Sequence, residues 1–250
     1  MCGVSVSRPS AQVLPGQGGR ILDSSADIHS AAQVVPAEGG EEGVKYIIMC
    51  GGSYPAWTTP RQLTPINGEP IVCRTIRLLH EAGQDDITIS SNDPAFDNLG
   101  VPVLHHDNHF IGYSRTGYWH ECFYPAHEPT VYLMGDVVFS PAAIRTIIDT
   151  ETDDIEFFAS AFPFTPDYPK PHAEPFAFKV VNHAHLRSAC QKVVDLDKRG
   201  LFKRRPIAWE LWQVIKGTEL NRIVRNYTVI NDYTCDIDKP DDVERMVISD

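Results

Sequence analysis

The stretch KYIIMCGGSYPAWTTPRQLTPINGEPI, residues 45–71, decides the fold class of this 250-residue chain. Its first six residues, 45–50, form a short apolar run that two glycines follow directly. Such a run is typical of a buried strand that enters a tight turn. Pro70 then opens a segment with apolar residues along one face, and a glycine closes it, so the sequence predicts a helix over 70–82.

Strands and helices continue to alternate along the next part of the chain. The pattern predicts further strands at 86–91, 101–104 and 130–134, and helices at 113–123 and 140–149. Alternation at this short spacing favours a mostly parallel sheet with helices on both faces, which is a three-layer α/β/α fold. The pattern then loosens, and it predicts strands at 156–161, 176–181 and 223–230 and helices at 183–195, 207–216 and 240–248.

Residues 1–44 differ in composition from the rest of the chain. They are rich in Gly, Ser, Ala, Pro and Gln, and they contain no aromatic residue and no sustained hydrophobic period. Such a segment cannot bury enough apolar area to offset the entropy lost on ordering it. We therefore expect a flexible extension over 1–44 and one domain over 45–250.

The charge balance excludes some classes of function. The chain has 22 Lys plus Arg against 33 Asp plus Glu, a formal net charge of −11, whereas a nucleic-acid binder needs clustered basic residues. No stretch approaches the ~20 apolar residues of a membrane helix. The six cysteines are scattered without a CxxC pair, which favours reduced, inert thiols and a cytoplasmic location. We expect neither a nucleic-acid nor a membrane partner, while a homo-oligomer stays open.

The first of three candidate site segments is the glycine turn after residue 50, together with Arg61. Glycine lets backbone N–H groups approach an anion closely. The Arg61 guanidinium, in the sequence PRQL at 60–63, can bind a phosphate through a fork of donors. Each feature alone also fits a plain turn and a solvated surface arginine.

The second segment, VYLMGDVVFS at 131–140, is an apolar strand that ends at Gly135 and Asp136. Ligands of open parallel sheets bind beyond the C-terminal ends of the strands, and a carboxylate there suits a hard divalent cation. The alternative is an aspartate that stabilises the turn at the end of the strand.

The third segment, NDYTCDIDKPDDVERM at 231–246, contains several carboxylates. Asp236 and Asp238 are two residues apart, so on a strand they share a face. The aspartates at 241–242 follow at the start of a helix, where carboxylates complement the helix dipole. In one interpretation, one carboxylate faces a metal and the others cap the helix. In the other, the segment is a plain helix start.

Together, in this order and at this spacing, the three segments resemble the nucleotidyltransferase superfamily with the GT-A-like, Rossmann-like fold. Its members include sugar-phosphate nucleotidyltransferases, cytidylyltransferases and MobA-like NTP transferases. The resemblance covers about residues 45–250. The family's glycine, Pro-Lys-x-Leu, Gly-x-Pro, Leu-x-Gly-Asp and Asp-Thr-Pro-Glu-Asp-Leu motifs correspond to residues 49–52, 60–63, 67–71, 133–136 and 238–243.

The resemblance implies an enzyme that transfers NMP from an NTP to a phosphorylated sugar or small metabolite and releases pyrophosphate. It implies catalytic roles for Arg61, Asp136 and Asp238, and Mg²⁺ binding by Asp136, Asp236 and Asp238. The sequences PRQL and DIDKPDD favour CTP, and the product would serve a surface polysaccharide or lipid. The nucleotide-binding residues that it implies are Cys50, Gly51, Gly52, Ser53, Arg61, Ser91, Gly112, Tyr113 and Ser114.

The acceptor pocket is expected to use later segments of the chain. We predict substrate contacts from Glu174 and Lys179 and from the basic stretch KRGLFKRR at 198–205, the densest positive charge in the sequence. A solvated helix–loop face is the alternative for this basic stretch.

The chain departs from the family pattern in two places, and two other classes of function compete. The loop at 53–57 is about two residues short and lacks the usual arginine, and Arg61 stands where lysine is more usual. A GT-A glycosyltransferase would use Asp236-Ile237-Asp238 as a D-x-D metal motif, although that motif normally ends an early or middle strand. The short loop also motivates a non-catalytic nucleotide-binding module.

Overall fold

The structure is a computed structural model, and it describes residues 43–51, 57–106, 117–161, 173–222 and 224–246. The prediction of a flexible extension over 1–44 lies almost wholly outside these residues. The described residues belong to the unit Glu41–Asp250. No helix in the described ranges is long and apolar enough to cross a bilayer.

Seven of the described strands form one mixed sheet, in the order β10 (Thr228–Ile230), β8 (Ile155–Ser160), β9 (Pro175–Val180), β6 (Thr130–Met134), β1 (Lys45–Met49), β4 (Ile87–Ser90) and β5 (Val103–Leu104). All its neighbouring pairs are parallel except those of β9, which runs antiparallel to β6 and β8. The predicted mostly parallel α/β fold is therefore confirmed.

Two short antiparallel pairs lie outside this sheet, and neither was predicted as a pair. They join β2 (Pro65–Ile66) to β3 (Glu69–Pro70) and β7 (Val137–Val138) to β11 (Cys235–Asp236). The helices are α1 (Ile71–Glu81), α2 (Pro141–Asp149), α3 (His183–Lys198), α4 (Ala208–Lys216) and α5 (Pro240–Arg245). Short 3-10 turns lie at Arg61–Leu63, Pro94–Phe96 and Trp119–Cys122.

Helices cover both faces of the sheet, as consecutive residues of β9 show. Phe178 packs with its ring against Trp212 of α4, whereas the next residue, Lys179, reaches the last carbonyls of α2. Successive side chains of a strand point to opposite faces, so α2 and α4 lie on opposite sides. Four of the five β1 residues are buried, as expected of a central strand covered on both faces.

Local signals explain most helix boundaries. At α2, the Ser140 hydroxyl accepts a hydrogen bond from the Ala143 N–H at 2.9 Å, and a proline follows in the first turn. A serine N-cap followed by proline satisfies one free N–H and sets the first helical φ angle. The predicted start of this helix is confirmed.

Two predicted elements are wrong in extent. Of the helix predicted at 113–123, the part that the structure describes forms only the 3-10 turn Trp119–Cys122, because Gly117 has a positive φ of 68° and Pro125 follows closely. The strand predicted at 223–230 is reduced to β10, which pairs with β8 over three residues.

Candidate functional site

The parallel strands β1, β4 and β6 end at one edge of the sheet, which we call the carboxyl edge. Gly51, Ser91 and Asp136 follow these strands directly or one residue later. The Ser91 hydroxyl donates a hydrogen bond to the Cys50 carbonyl at 2.9 Å, which joins the ends of β1 and β4. The strand-end residues that the sequence singled out therefore lie along one edge.

Gly135 sets how closely the ends of β1 and β6 approach each other. Its N–H donates to the Met49 carbonyl at 3.0 Å. A Cβ at residue 135 would lie 2.6 Å from Cys50 Sγ and 2.7 Å from the Met49 oxygen. Only glycine fits this contact without displacing a neighbour, and it places Asp136 directly beyond the two strands.

The antiparallel pair β7–β11 brings the third segment beside Asp136. Asp236 pairs with Val137, and the Ile237 N–H donates to the Asp136 carbonyl at 3.0 Å. Two segments that are far apart in the sequence therefore share one short ladder, and Asp238 emerges next to Asp136.

Further hydrogen bonds hold the start of the third segment in place. The Ser140 hydroxyl donates to Asp232. The buried Arg74 of α1 donates to the Phe139 carbonyl at 3.2 Å and to the Tyr233 hydroxyl at 2.9 Å. These contacts fix residues 232–233 against the turn that precedes α2, and thereby position β11.

Arg61 connects Asp136 and Asp238, the two carboxylates that were predicted to be catalytic. Its guanidinium forms an ion pair with Asp136 and another with Asp238 at 3.2 Å, and it donates to the Ile237 carbonyl at 3.2 Å. The Arg61 side chain is 10% exposed, so water screens these contacts only partly. The structure thus brings the three predicted catalytic residues into direct contact.

Two neighbours hold Asp238 in place. The Trp57 indole N–H donates to the Asp238 carbonyl at 3.0 Å, and the Asp242 carboxylate accepts from the N–H groups of Asp238 and Lys239 at 3.0 and 2.9 Å. The capping role of Asp242 was predicted from its place at the helix start, and it is confirmed. The role of Trp57 was missed, because nothing in its local sequence points to a partner 181 residues away.

Glu174, Asp236 and Asp238 form an acidic cluster, in which one carboxylate oxygen from each residue lies within 4.8 Å of the other two. Glu174 and Asp236 are buried, at 7% and 8% exposed. Divalent cations with a preference for oxygen ligands, such as Mg²⁺ and Mn²⁺, bind sets of this kind. The donor set therefore fits such a cation.

The cluster differs from the predicted metal ligands in one member. Asp136, which was predicted to bind the metal, pairs with Arg61 in the structure, and Glu174, which was predicted to contact substrate, joins Asp236 and Asp238.

The structure does not bring Lys179, a predicted substrate contact, to this site. Lys179 pairs across the sheet with Val131, near the start of β6, and therefore lies toward the opposite edge from Asp136. Its ammonium donates to the carbonyls of Ile148 and Thr150 at 2.8 and 2.7 Å, and burial lowers its pKa. A cation there stabilises the C-terminal end of α2.

Part of the basic stretch at 198–205 has internal partners. Arg204 pairs with the buried carboxylate of Glu210 at 2.7 Å, and Arg205 donates to the Gly117 carbonyl. The predicted nucleotide-binding residues Gly52, Ser53, Gly112, Tyr113 and Ser114 lie outside the described residues.

Four described cysteines, Cys50, Cys73, Cys122 and Cys190, form no disulfide, and their environment disfavours thiolate chemistry. Burial, followed by the nearby charge of Asp136, raises the pKa of the Cys50 thiol well above its usual value. Burial likewise raises the pKa of Cys190 to about 12. Because the thiolate is the reactive form, these raised pKa values agree with the expectation of inert thiols.

The site therefore combines the Arg61 guanidinium, which suits phosphate oxygens, with carboxylates that suit a divalent metal. It lies at the edge where α/β sheets bind their ligands. Residues 46–207 match the family model of the MobA-like NTP transferase domain. The chain belongs to this family, and it is an enzyme of the nucleotidyltransferase class.

Two solved structures share the fold at low sequence identity. One is a protein assigned as a glucose-1-phosphate thymidylyltransferase from Bacillus anthracis, with a TM-score of 0.50 and 15% identity over 81% of this chain and 93% of that one. The other is the inositol-1-phosphate CTP transferase from T. maritima, with a TM-score of 0.51 and 14% identity over 80% and 94% of the two chains. No curated protein sequence matches this chain significantly.

Proposed function

We propose that the protein is a Mg²⁺-dependent nucleotidyltransferase that transfers NMP from an NTP, preferably CTP, to a phosphorylated sugar or small metabolite. The observation that carries this proposal is the contact of Arg61 with both Asp136 and Asp238, next to the acidic cluster. This arrangement supports the proposal because it would place a phosphate-binding cation beside a metal-binding set of carboxylates at the carboxyl edge.

The charges of the substrates define what the residues of the site must do. An NTP and a phosphorylated acceptor are both anions, and they repel each other unless positive charge lies between them. Arg61 would bind phosphate oxygens through its fork of donors, and the N–H of Gly51 would approach the same phosphates. The acidic cluster would hold Mg²⁺, which when bound supplies positive charge at the phosphates.

The reaction needs positioning more than proton transfer. An oxygen of the acceptor phosphate attacks the α-phosphorus of the NTP, the bond from that phosphorus to the β-phosphate bridging oxygen breaks, and pyrophosphate leaves. The attacking oxygen is already anionic, so the step requires no general base. The protein contributes orientation and electrostatic stabilisation.

Several observations support the substrate class. The two solved structures of this fold are described as acting on glucose 1-phosphate and inositol 1-phosphate, and the second uses CTP. The sequences PRQL and DIDKPDD also favour CTP. A nucleotide-linked product of this kind would serve the synthesis of a surface polysaccharide or lipid.

A pyrophosphate-release assay tests the proposal. Each NTP is incubated with Mg²⁺ and a panel of sugar phosphates, polyol phosphates and choline phosphate, with wild type, Asp238→Asn and Asp241→Asn. Asp241 is exposed in the same segment, so its variant is the matched control. We expect release with one NTP–acceptor pair, at least about 100-fold lower in Asp238→Asn and unchanged in Asp241→Asn.

Other outcomes would support the competing classes. Release of NDP from a nucleotide sugar would favour a glycosyltransferase. Tight NTP binding without turnover of any acceptor would favour a non-catalytic module. NTP affinity that is unchanged by a chelator would contradict the role given to the acidic cluster.

A further inference from the structure

The Arg61 guanidinium lies between the carboxylates of the site, where it balances their negative charge. It pairs with Asp136 and Asp238 at once, and Asp238 also belongs to the acidic cluster with Glu174 and Asp236. One carboxylate is therefore shared between the guanidinium and the set that fits a divalent metal.

We propose, resting on the function proposed above, that Arg61 is the internal counter-ion of this site in the nucleotide-free protein and competes with the divalent metal for Asp238. When a triphosphate enters, its oxygens draw the guanidinium away, and Asp238 becomes available to the metal. Arg61 is then a positioning residue that couples metal binding to nucleotide binding, in addition to its contact with phosphate.

The chemistry of arginine supports this second role. A guanidinium stays charged at every pH a protein experiences, so it cannot leave the carboxylates by losing its proton. The hydrogen bond from Arg61 to the Ile237 carbonyl orients the fork between Asp136 and Asp238. A divalent cation that binds Asp238 in this state meets a positive charge a few ångströms away, and at that distance like charges repel strongly in a partly buried site.

The cluster is held together by groups other than Arg61. The backbone of Asp238 is fixed by the Trp57 and Asp242 hydrogen bonds, and the backbone of Asp236 by the β7–β11 ladder. Replacing Arg61 by a neutral residue should therefore keep the backbone positions of both aspartates, release the Asp238 carboxylate and remove the competing charge. The affinity for metal alone should rise, whereas a merely structural role for Arg61 predicts a fall.

The test measures Mn²⁺ binding to the full-length, metal-free protein without nucleotide, by titration calorimetry. Wild type is compared with Arg61→Gln, Arg61→Lys and Arg77→Gln. Arg77 is the matched control, because it also pairs with two carboxylates, Glu69 and Glu81. We expect Mn²⁺ to bind Arg61→Gln about tenfold more tightly than wild type, Arg61→Lys between the two, and Arg77→Gln like wild type.

Circular dichroism confirms that each variant is folded, and Arg61→Lys provides the answer if Arg61→Gln does not fold. Unchanged or weaker Mn²⁺ binding in the folded Arg61 variants would overturn the inference. The variant Asp238→Asn separates this failure from failure of the proposed function. If Asp238→Asn loses Mn²⁺ while the Arg61 variants match wild type, only the counter-ion role is wrong. If no protein in the series binds Mn²⁺, both proposals fail.

Discussion

The close contact at Gly135 makes the variant Gly135→Ala a sharp test of how the carboxyl edge is built. The added methyl carbon would lie 2.6 Å from Cys50 Sγ and 2.7 Å from the Met49 carbonyl oxygen. Real Cβ atoms do not come this close to other heavy atoms, and the Met49 oxygen belongs to a central strand that cannot move freely. One of the two strands must therefore shift.

The expected change in the free energy of unfolding of Gly135→Ala is the sum of two opposing contributions. Forcing an extra carbon into a packed site costs about 1–3 kcal/mol, and replacing glycine by alanine returns about 0.4–1 kcal/mol by restricting the unfolded chain. The clash exceeds the entropy gain, so we expect a net loss of roughly 1–2 kcal/mol in the free energy of unfolding. For a domain of this size that corresponds to a Tm lower by about 2–8 °C.

Urea unfolding followed by tryptophan fluorescence measures this loss, with Gly51→Ala as the control at the end of the neighbouring strand. A Cβ on Gly51 would lie 3.6 Å from the nearest atom, on His106, which is an ordinary contact. Gly51→Ala should stay within about 0.5 kcal/mol of wild type. If Gly135→Ala is as stable as Gly51→Ala, the packing described for the ends of β1 and β6 is wrong.

Three further predictions concern stability. Ser140→Ala removes the N-cap of α2 and should cost about 1 kcal/mol in urea unfolding; no loss would contradict the capping role. Arg74→Leu leaves buried hydrogen-bond acceptors without their donor and should cost about 2–3 kcal/mol, whereas Arg77→Leu on the exposed face of the same helix should cost less than about 1 kcal/mol. Burial lowers the pKa of His120 below 6.5, so below that pH the unfolded chain binds a proton that the folded protein does not. Stability should therefore fall as the pH drops below about 6.5, and unfolding of His120→Asn across this range should show a shallower fall.

The predictions that the structure confirmed rest on local physics. The run at 46–50 is apolar without interruption, so it forms most of a strand covered on both faces. The Ser-Pro start of α2 satisfies an N–H group of the first turn wherever the helix lies. The place of Asp136 followed from the general rule that parallel strands end at one edge.

The direction of a strand decides which of its residues reach the site. β9 runs antiparallel to its neighbours, so its first residues, not its last, lie at the carboxyl edge. Glu174, just before β9, therefore reaches the acidic cluster, whereas Lys179 near its end is carried toward the opposite edge. The direction of a strand in the sheet cannot be predicted from its local sequence.

The sequence by itself determined the class of the fold, the strand-end positions and the three segments that carry the chemistry, because each depends on residues close together in the chain. Only the tertiary structure decided how these segments meet. The β7–β11 pair brings Asp238 to Asp136, and Arg61 joins them. Such contacts depend on the packing of distant elements, so the identity of the shared carboxylate and its arginine counter-ion became visible only in the folded chain.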